Sequence, residues 1–273
     1  MFLRPPISAG TFYEIDSNML RKQLDFYFRN AVVKSKKTDA LVRLVPHSEY
    51  SLSGQIAAHA YVNMTKSNFI IIGSNHSAFG SDFALMKNSL WKTPIGEAVV
   101  DNSFADKLMK ETPLIEFDAI PHEDEFSIEV QLPFLLHKFG SVNMVPIVVN
   151  NQIPDDAFLE SCRTVGKSVA KWMKKGKDWK LIGSSDLSRR MEEEDTIKTD
   201  KLLLKHISKL DVKGFFNIIN KLNVKVCGYG AIATTLFAAK ELGAKKAEIL
   251  KYGTSGEIPG NMTVTGYASL IFY

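Results

Sequence analysis

The chain holds only two cysteines, Cys162 and Cys227, in 273 residues. Two thiols cannot build the disulfide framework of a small secreted domain, so a reducing compartment is expected. No apolar run approaches the ~20 residues that cross a bilayer, so no membrane partner is expected. The opening stretch MFLRPPISAGTFY lacks the long apolar centre of a secretory signal, and a cytoplasmic location is the expectation. Charge of one sign is also missing: 34 Lys and Arg against 30 Asp and Glu leave a formal +4. The one dense basic stretch, KWMKKGKDWK at 171–180, reads as a solvated helix end and turn. A nucleic-acid binder would concentrate its lysines in a stripe with interleaved aromatics, so no nucleic-acid partner is expected. Repeats, low-complexity segments and long linkers are absent too. With 45% hydrophobic and 23% charged residues, the chain has material for a sizeable core.

Short apolar runs rich in β-formers recur at 40–46 (ALVRLVP), 68–73 (NFIIIG), 143–149 (NMVPIVV), 179–183 (WKLIG), 247–253 (AEILKYG) and 265–273 (TGYASLIFY). Several are apolar on consecutive positions, which predicts strands covered on both faces. Segments with helical spacing lie between them. The stretch 53–66 follows the first run, with Ser51 or Ser53 as a cap. The stretch 126–139 follows an acidic lead-in, HEDE, that suits the positive end of a helix. Helices at 155–175 and 229–243 are the clearest. This alternation predicts one α/β domain over 1–273, with a mainly parallel sheet flanked by helices.

In open α/β sheets, ligands bind beyond the carboxyl ends of the strands. There the sequence places Pro46-His47-Ser48, Ser74-Asn75-His76, Ser184-Ser185-Asp186 and, after NVKV, Cys227-Gly228. Two imidazoles, a thiol and a carboxylate form a plausible transition-metal set, suited to zinc, iron or copper rather than calcium or magnesium. The separation of 29 residues between His47 and His76 matches no zinc finger, so only the fold can bring the set together. A second cluster, His122, Glu123, Asp124 and Glu125, has two readings: capping of the helix that follows, or a place in the pocket. His59, His137 and His206 read as structural or solvated, and Cys162 as a packed thiol. No phosphate-loop pattern, nucleophile elbow or Ser-His-Asp order is present.

At these residues the sequence resembles the Memo family, also described as component B of the AMMECR1–Memo–radical-SAM set. The matching strings run through almost the whole chain: RPPISAGTFYEID, VPHSEYSLSGQIAAHAY, GSNHSAFG, TPIGEAVVD, HEDEFSIEVQLPFLL, GSSDLS, CGYGAI, YGTSGE and TVTGYASL. The resemblance implies a fold similar to class III extradiol dioxygenases, non-haem iron enzymes that open catechol rings. It implies that His47, His76 and Cys227 are iron or copper ligands, with zinc behind those two, and that Asp186 is the acidic residue beside them and the one candidate catalytic group. Asn75, His122, Glu125, Ser185 and Arg189 complete the expected pocket. AMMECR1-like and radical-SAM partners are implied by association, and an anionic or phosphotyrosine-like peptide or a small acid is the competing ligand. No settled reaction follows from membership.

The chain departs from the family pattern twice. Members commonly read Glu-His-Ser where this chain has Glu125-Phe126-Ser127, and commonly carry a histidine where it has Arg189. A histidine there could move protons near neutral pH; Phe126 cannot, and Arg189 keeps its charge. Arg189 pointing inward favours an anionic ligand, whereas Arg189 pointing outward would pair with Glu192–Glu194. Three readings follow: a metal-binding protein, a dioxygenase-type oxidoreductase, and a binding module without turnover.

Overall fold

The run Asn68–Ser74 is apolar on both of its faces because it lies in the middle of the sheet. Ile70 and Ile72 enter one core, and Phe69 and Ile71 the other. The computed structural model describes residues 1–273 except 36, 38, 78, 177 and 258–261. Among the described residues the strands are β1 (Phe2–Arg4), β2 (Val42–Val45), β3 (Asn68–Ser74), β4 (Phe83–Leu85), β5 (Ser89–Thr93), β6 (Gly96–Val100), β7 (Ile115–Phe117), β8 (Val142–Val149), β9 (Trp179–Ser184), β10 (Arg189–Met191), β11 (Ala247–Thr254) and β12 (Val264–Phe272). They form one sheet in the order β1-β5-β6-β8-β3-β9-β2-β12-β10, with β11 beside β12, and β4 joining β8 to β7. All six strands expected from the sequence are present.

The sheet is mixed, which corrects the expectation of a mainly parallel one. Its centre, β6-β8-β3-β9-β2, is parallel throughout. Its flanks are not: β12 runs antiparallel to β2, β11 and β10, β5 to β6, and β4 to β8. For β5 and β6 the reason is connection length. Pro94 and Ile95 alone separate β5 from β6, and so short a link makes a hairpin, whereas parallel neighbours need a crossover.

Helices cover both faces, as the sequence predicted. The helix Asp156–Lys175 starts where the Asp155 carboxylate accepts the Phe158 N–H, and it packs on the helix Tyr229–Glu241. They approach closely at Gly166, where a Cβ would stand 2.6 Å from the Thr234 carbonyl oxygen. Two expected helices are altered. The 126–139 segment is broken into Phe126–Glu129 and Leu132–Phe139, with Pro133 in the first turn of the second piece, where a missing N–H costs nothing. The 53–66 segment starts earlier, as a π-helical turn Tyr50–Gly54, and continues as Gln55–Tyr61. Neither Ser51 nor Ser53 caps it; the Ser53 hydroxyl instead donates to the Ser48 carbonyl.

Candidate metal centre

Three adjacent parallel strands, β3, β9 and β2, end on the same edge of the sheet. His76, Asp186 and His47 each stand two residues beyond the last residue of one of them, so the topology delivers three side chains to one place. Cys227 arrives differently. The NVKV stretch is not a strand; Val226 makes one isolated antiparallel bridge to Ser188, and the thiol sits just before Gly228, the N-cap of the helix Tyr229–Glu241. Gly228 cannot carry a side chain here, because a Cβ would lie 2.1 Å from the Ser74 hydroxyl and 2.8 Å from that of Ser185. The Gly228 N–H donates to Ser185 Oγ at 2.9 Å, and the Asn151 amide grips both the Cys227 carbonyl and the Gly230 N–H.

The three donor atoms lie within 4.8 Å of one another. His47 Nε2 is 3.2 Å and His76 Nε2 3.0 Å from Cys227 Sγ. The hydrogen bonds behind the rings fix which nitrogens face the sulfur. Glu125 accepts from His76 Nδ1 at 2.9 Å, so that nitrogen carries a proton. On the His47 side, Tyr61 donates to Gln131, Gln131 donates to Ser184, and Ser184 donates to the Ser127 carbonyl. Ser184 Oγ, 3.3 Å from His47 Nδ1, has therefore spent its proton and accepts from that ring. Nε2 of each ring is thus the nitrogen turned to the sulfur, and its lone pair is open to a shared metal once its proton leaves. Metal-bound histidines are commonly held this way, with the far nitrogen on a carboxylate or another acceptor.

The charges of the trio offset one another. Burial would push the Cys227 thiol up, but His47 and His76 outweigh it and bring it down to about 6. The positive end of a 13-residue helix acts in the same direction. Burial disfavours the imidazolium of His76, yet its bonds to Cys227 and Glu125 raise it to about 10. His47, 1% exposed, is raised as well: Asp186 and Cys227 overcome its burial. Burial opposes ionisation of Glu125, but His76 and the Ser127 N–H hold its carboxyl below the ordinary range.

Tetrahedral zinc-like bond lengths would separate an imidazole nitrogen from a thiolate sulfur by about 3.6 Å. The observed 3.0 and 3.2 Å are hydrogen-bond distances, so a metal would need an opening of a few tenths of an ångström. The donor set otherwise fits: one soft thiolate and two imidazole nitrogens suit zinc, copper or iron.

The trio forms the floor of an open cleft of about 160 Å³, with Phe12, Ser48, Glu49, Leu52, Phe126, Asp186, Arg189 and Thr265 around it. Phe126 stacks on the His76 ring at 4.3 Å, and Phe12 packs on Phe126 at 4.4 Å. Asp186 accepts the His47 N–H at 2.8 Å and the Ser48 hydroxyl at 2.6 Å. Its Oδ2 is 3.8 Å from His47 Nε2. Arg189 points inward, with Nη1 3.7 Å from Cys227 Sγ. The outward pairing weighed from the sequence is not made: Glu194 pairs with Lys198, and Glu193 accepts from Thr254.

The other expected pocket residues divide into supports and bystanders. Glu125 fulfils both readings of its cluster. It caps Phe126–Glu129 through the Ser127 N–H and also holds the His76 ring and backbone N–H. Ser185 seats Gly228, and Asn75 shapes the loop carrying His76 through Ser77 and Phe79. His122 does not reach the cleft. It is buried against Trp91 and bonded to the Ala84 carbonyl, and burial drives it down to about 3, so it stays neutral. His59, His137 and His206 bond to Gln55, Asp25 and Asp211, as their structural reading required, and Cys162 is a buried thiol. Gln131, Ser184, Asn151 and Phe12 were missed. Gln131 and Asn151 carried no signal of their own; Ser184 was visible only as a neighbour of Asp186.

The family model described as "Memo-like protein" matches residues 4–271. A MEMO1 family protein of Sulfolobus acidocaldarius is 38% identical over 287 aligned residues, covering 99% of each chain. Another, from Methanococcoides burtonii, is 38% identical and covers 98% of this chain and 99% of its own. Among solved structures, an uncharacterized protein, JW3007, from Escherichia coli K12 superposes with a TM-score of 0.57, covering 84% of this chain and 98% of its own at 13% identity. That likeness is one of fold alone.

Proposed function

The chain belongs to the Memo family, and from that premise we propose that it binds one redox-active transition metal, iron or copper, through His47 Nε2, His76 Nε2 and Cys227 Sγ. One observation carries the reading: Glu125 and Ser184 occupy Nδ1 of the two rings, so both Nε2 atoms face the buried Cys227 sulfur and are the nitrogens free to bind a metal once their protons leave. Imidazole and thiolate together favour iron, copper and zinc, and the open cleft beside them leaves room for a further ligand. Bound iron or copper would supply electron-transfer chemistry at the floor of the cleft. The chain's own residues then have distinct tasks. Glu125 and Ser184 orient the rings, Asp186 fixes the His47 backbone, and Phe12 with Phe126 shields His76 from water.

The test is metal content. Protein made without chelators and exposed to iron, copper and zinc in turn is expected to retain about one equivalent by elemental analysis. The Cys227→Ser and His76→Ala variants should lose it. Wild-type protein that stays metal-free after all three exposures would overturn the reading.

A further inference from the structure

We propose that Arg189 makes the cleft a receptor for a small monocarboxylate, its carboxylate held by the guanidinium and its apolar body lying along Leu52 and the Phe12–Phe126 wall. This deepens the metal-centre reading, since the ligand would lie beside the same trio, but the part played by Arg189 needs no metal.

Arg189 is placed by backbone geometry, and its guanidinium meets the Cys227 sulfur rather than a carboxylate. Its N–H donates to the Lys225 carbonyl at 3.1 Å. The register of β10 against β12 shifts between Arg189 and Met191, and Arg190 takes φ 65°. Such a bulge re-aims the side chain beside it. The guanidinium is thereby placed on the wall of the cleft with one contact, 3.7 Å, to Cys227 Sγ. Among the described residues no carboxylate makes an ion pair with it. Its Nε is shut off from solvent and has no hydrogen-bond partner. A half-buried guanidinium fork that the protein leaves incomplete is a ready donor site for a planar anion, to which it gives parallel N–H bonds.

The surrounding charges select the class of anion. Asp186 faces the same cleft, already committed to the His47 N–H and the Ser48 hydroxyl, and Glu49 stands at the rim. Besides Arg189, the trio and these two carboxylates, no titratable side chain among the described residues lines the space. Two carboxylates on the walls repel a phosphate dianion, whereas the guanidinium can pair with a single negative charge. The cleft, about 160 Å³, admits only a small molecule, and Phe12, Leu52 and Phe126 contribute apolar wall.

The experiment is a calorimetric titration of the full chain with benzoate, benzamide and inorganic phosphate. Wild-type protein is compared with Arg189→Gln and Arg189→Lys, after chelation and again after metal loading. Benzoate should bind the wild type at least about tenfold more tightly than benzamide, the factor expected of one charge-assisted hydrogen bond. Arg189→Gln should lose that preference and Arg189→Lys keep part of it. Equal affinity for acid and amide in the wild type overturns the proposal, whatever the variants do. An undiminished preference in Arg189→Gln overturns it as well, and phosphate binding tighter than benzoate overturns the choice of carboxylate. Metal content measured in parallel keeps the two readings apart. Benzoate preference in protein that takes up no metal sustains Arg189 and removes the metal centre; one metal per chain without the preference does the reverse.

Discussion

Which nitrogen of each imidazole carries the proton decides what the trio can do, and side chains outside the trio make that decision. Glu125 is the sharper case, because it accepts from both the ring and the backbone N–H of His76. In Glu125→Gln the amide offers one oxygen where the carboxylate offered two, and the ring loses its charged anchor. Metal affinity, measured by chelator competition, should fall about 10–100-fold, the range seen when such supports are removed. An unchanged affinity in a folded variant would remove Glu125 from the site. The same residues set the pH dependence of metal uptake. With Cys227 at about 6 and His76 raised to about 10, the metal-free site at neutral pH holds a thiolate and at least one imidazolium. Metal must displace that proton, so affinity should rise with pH above neutrality up to about 10. It should fall more steeply below about 6, where the thiolate must also be won from a proton. Calorimetry in buffers of different ionisation heat counts the protons released; none released at pH 7 would contradict this charge state. His47, His76 and Cys227 were legible because they follow apolar runs and match family strings. Ser184 and Gln131, which set the tautomer, were not, because a serine or glutamine contributing one hydrogen bond looks like any other.

Placement of the thiol is a property of elements, since Cys227 has no strand of its own and depends on how a helix begins. Gly228 lets the helix Tyr229–Glu241 start directly against Ser74 and Ser185. In Gly228→Ala the new methyl would stand 2.1 Å from Ser74 Oγ and 2.8 Å from Ser185 Oγ, so these side chains or the turn must move. Overpacking of this kind costs ~1–3 kcal/mol, and the shift would carry Cys227 away from the two rings. Chemical denaturation and a metal titration check the two halves separately. A variant as stable as the wild type with full metal affinity would show that the turn has slack. Elements also mark where sequence patterning runs out. β3, β8 and β9 announced themselves as continuous apolar runs because both of their faces are covered. The three-residue strands β1, β4, β7 and β10 are too short for any periodicity. The helix at 126–139 read as continuous because its apolar spacing is regular, while Pro133 marked the break.

Across the whole molecule, the N-terminal segment is tied to the site through one buried carboxylate. Glu129 accepts from Arg4 Nη1, from the N–H groups of Ile7 and Ser8, and from the Tyr13 hydroxyl. Arg4 in turn donates to the carbonyls of His122 and Glu125 and lies over the Trp91 ring. The pair is enclosed, at 1% and 0% side-chain exposure, and it links positions 125 residues apart. No local pattern reveals a partnership of that range, although both residues stand in strings that matched the family. Its consequence reaches the cleft, because residues 4–13, once pinned, deliver Phe12 onto Phe126 and so onto the covered face of His76. Glu129→Gln would leave the Arg4 guanidinium charged, buried and without its counter-charge. Breaking such a pair from one side costs ~3–5 kcal/mol, far above the effect of a surface pair. Urea denaturation should show a loss of that size, whereas Lys198→Ala, which breaks the exposed pair with Glu194, should change stability by less than ~1 kcal/mol. Hydrogen exchange should then be faster at Ser8, whose amide loses its carboxylate acceptor, than in β3 at the sheet centre. A Glu129→Gln loss no larger than that of the surface pair would mean that the segment is held by its apolar contacts alone, and that Phe12 reaches the cleft without the carboxylate.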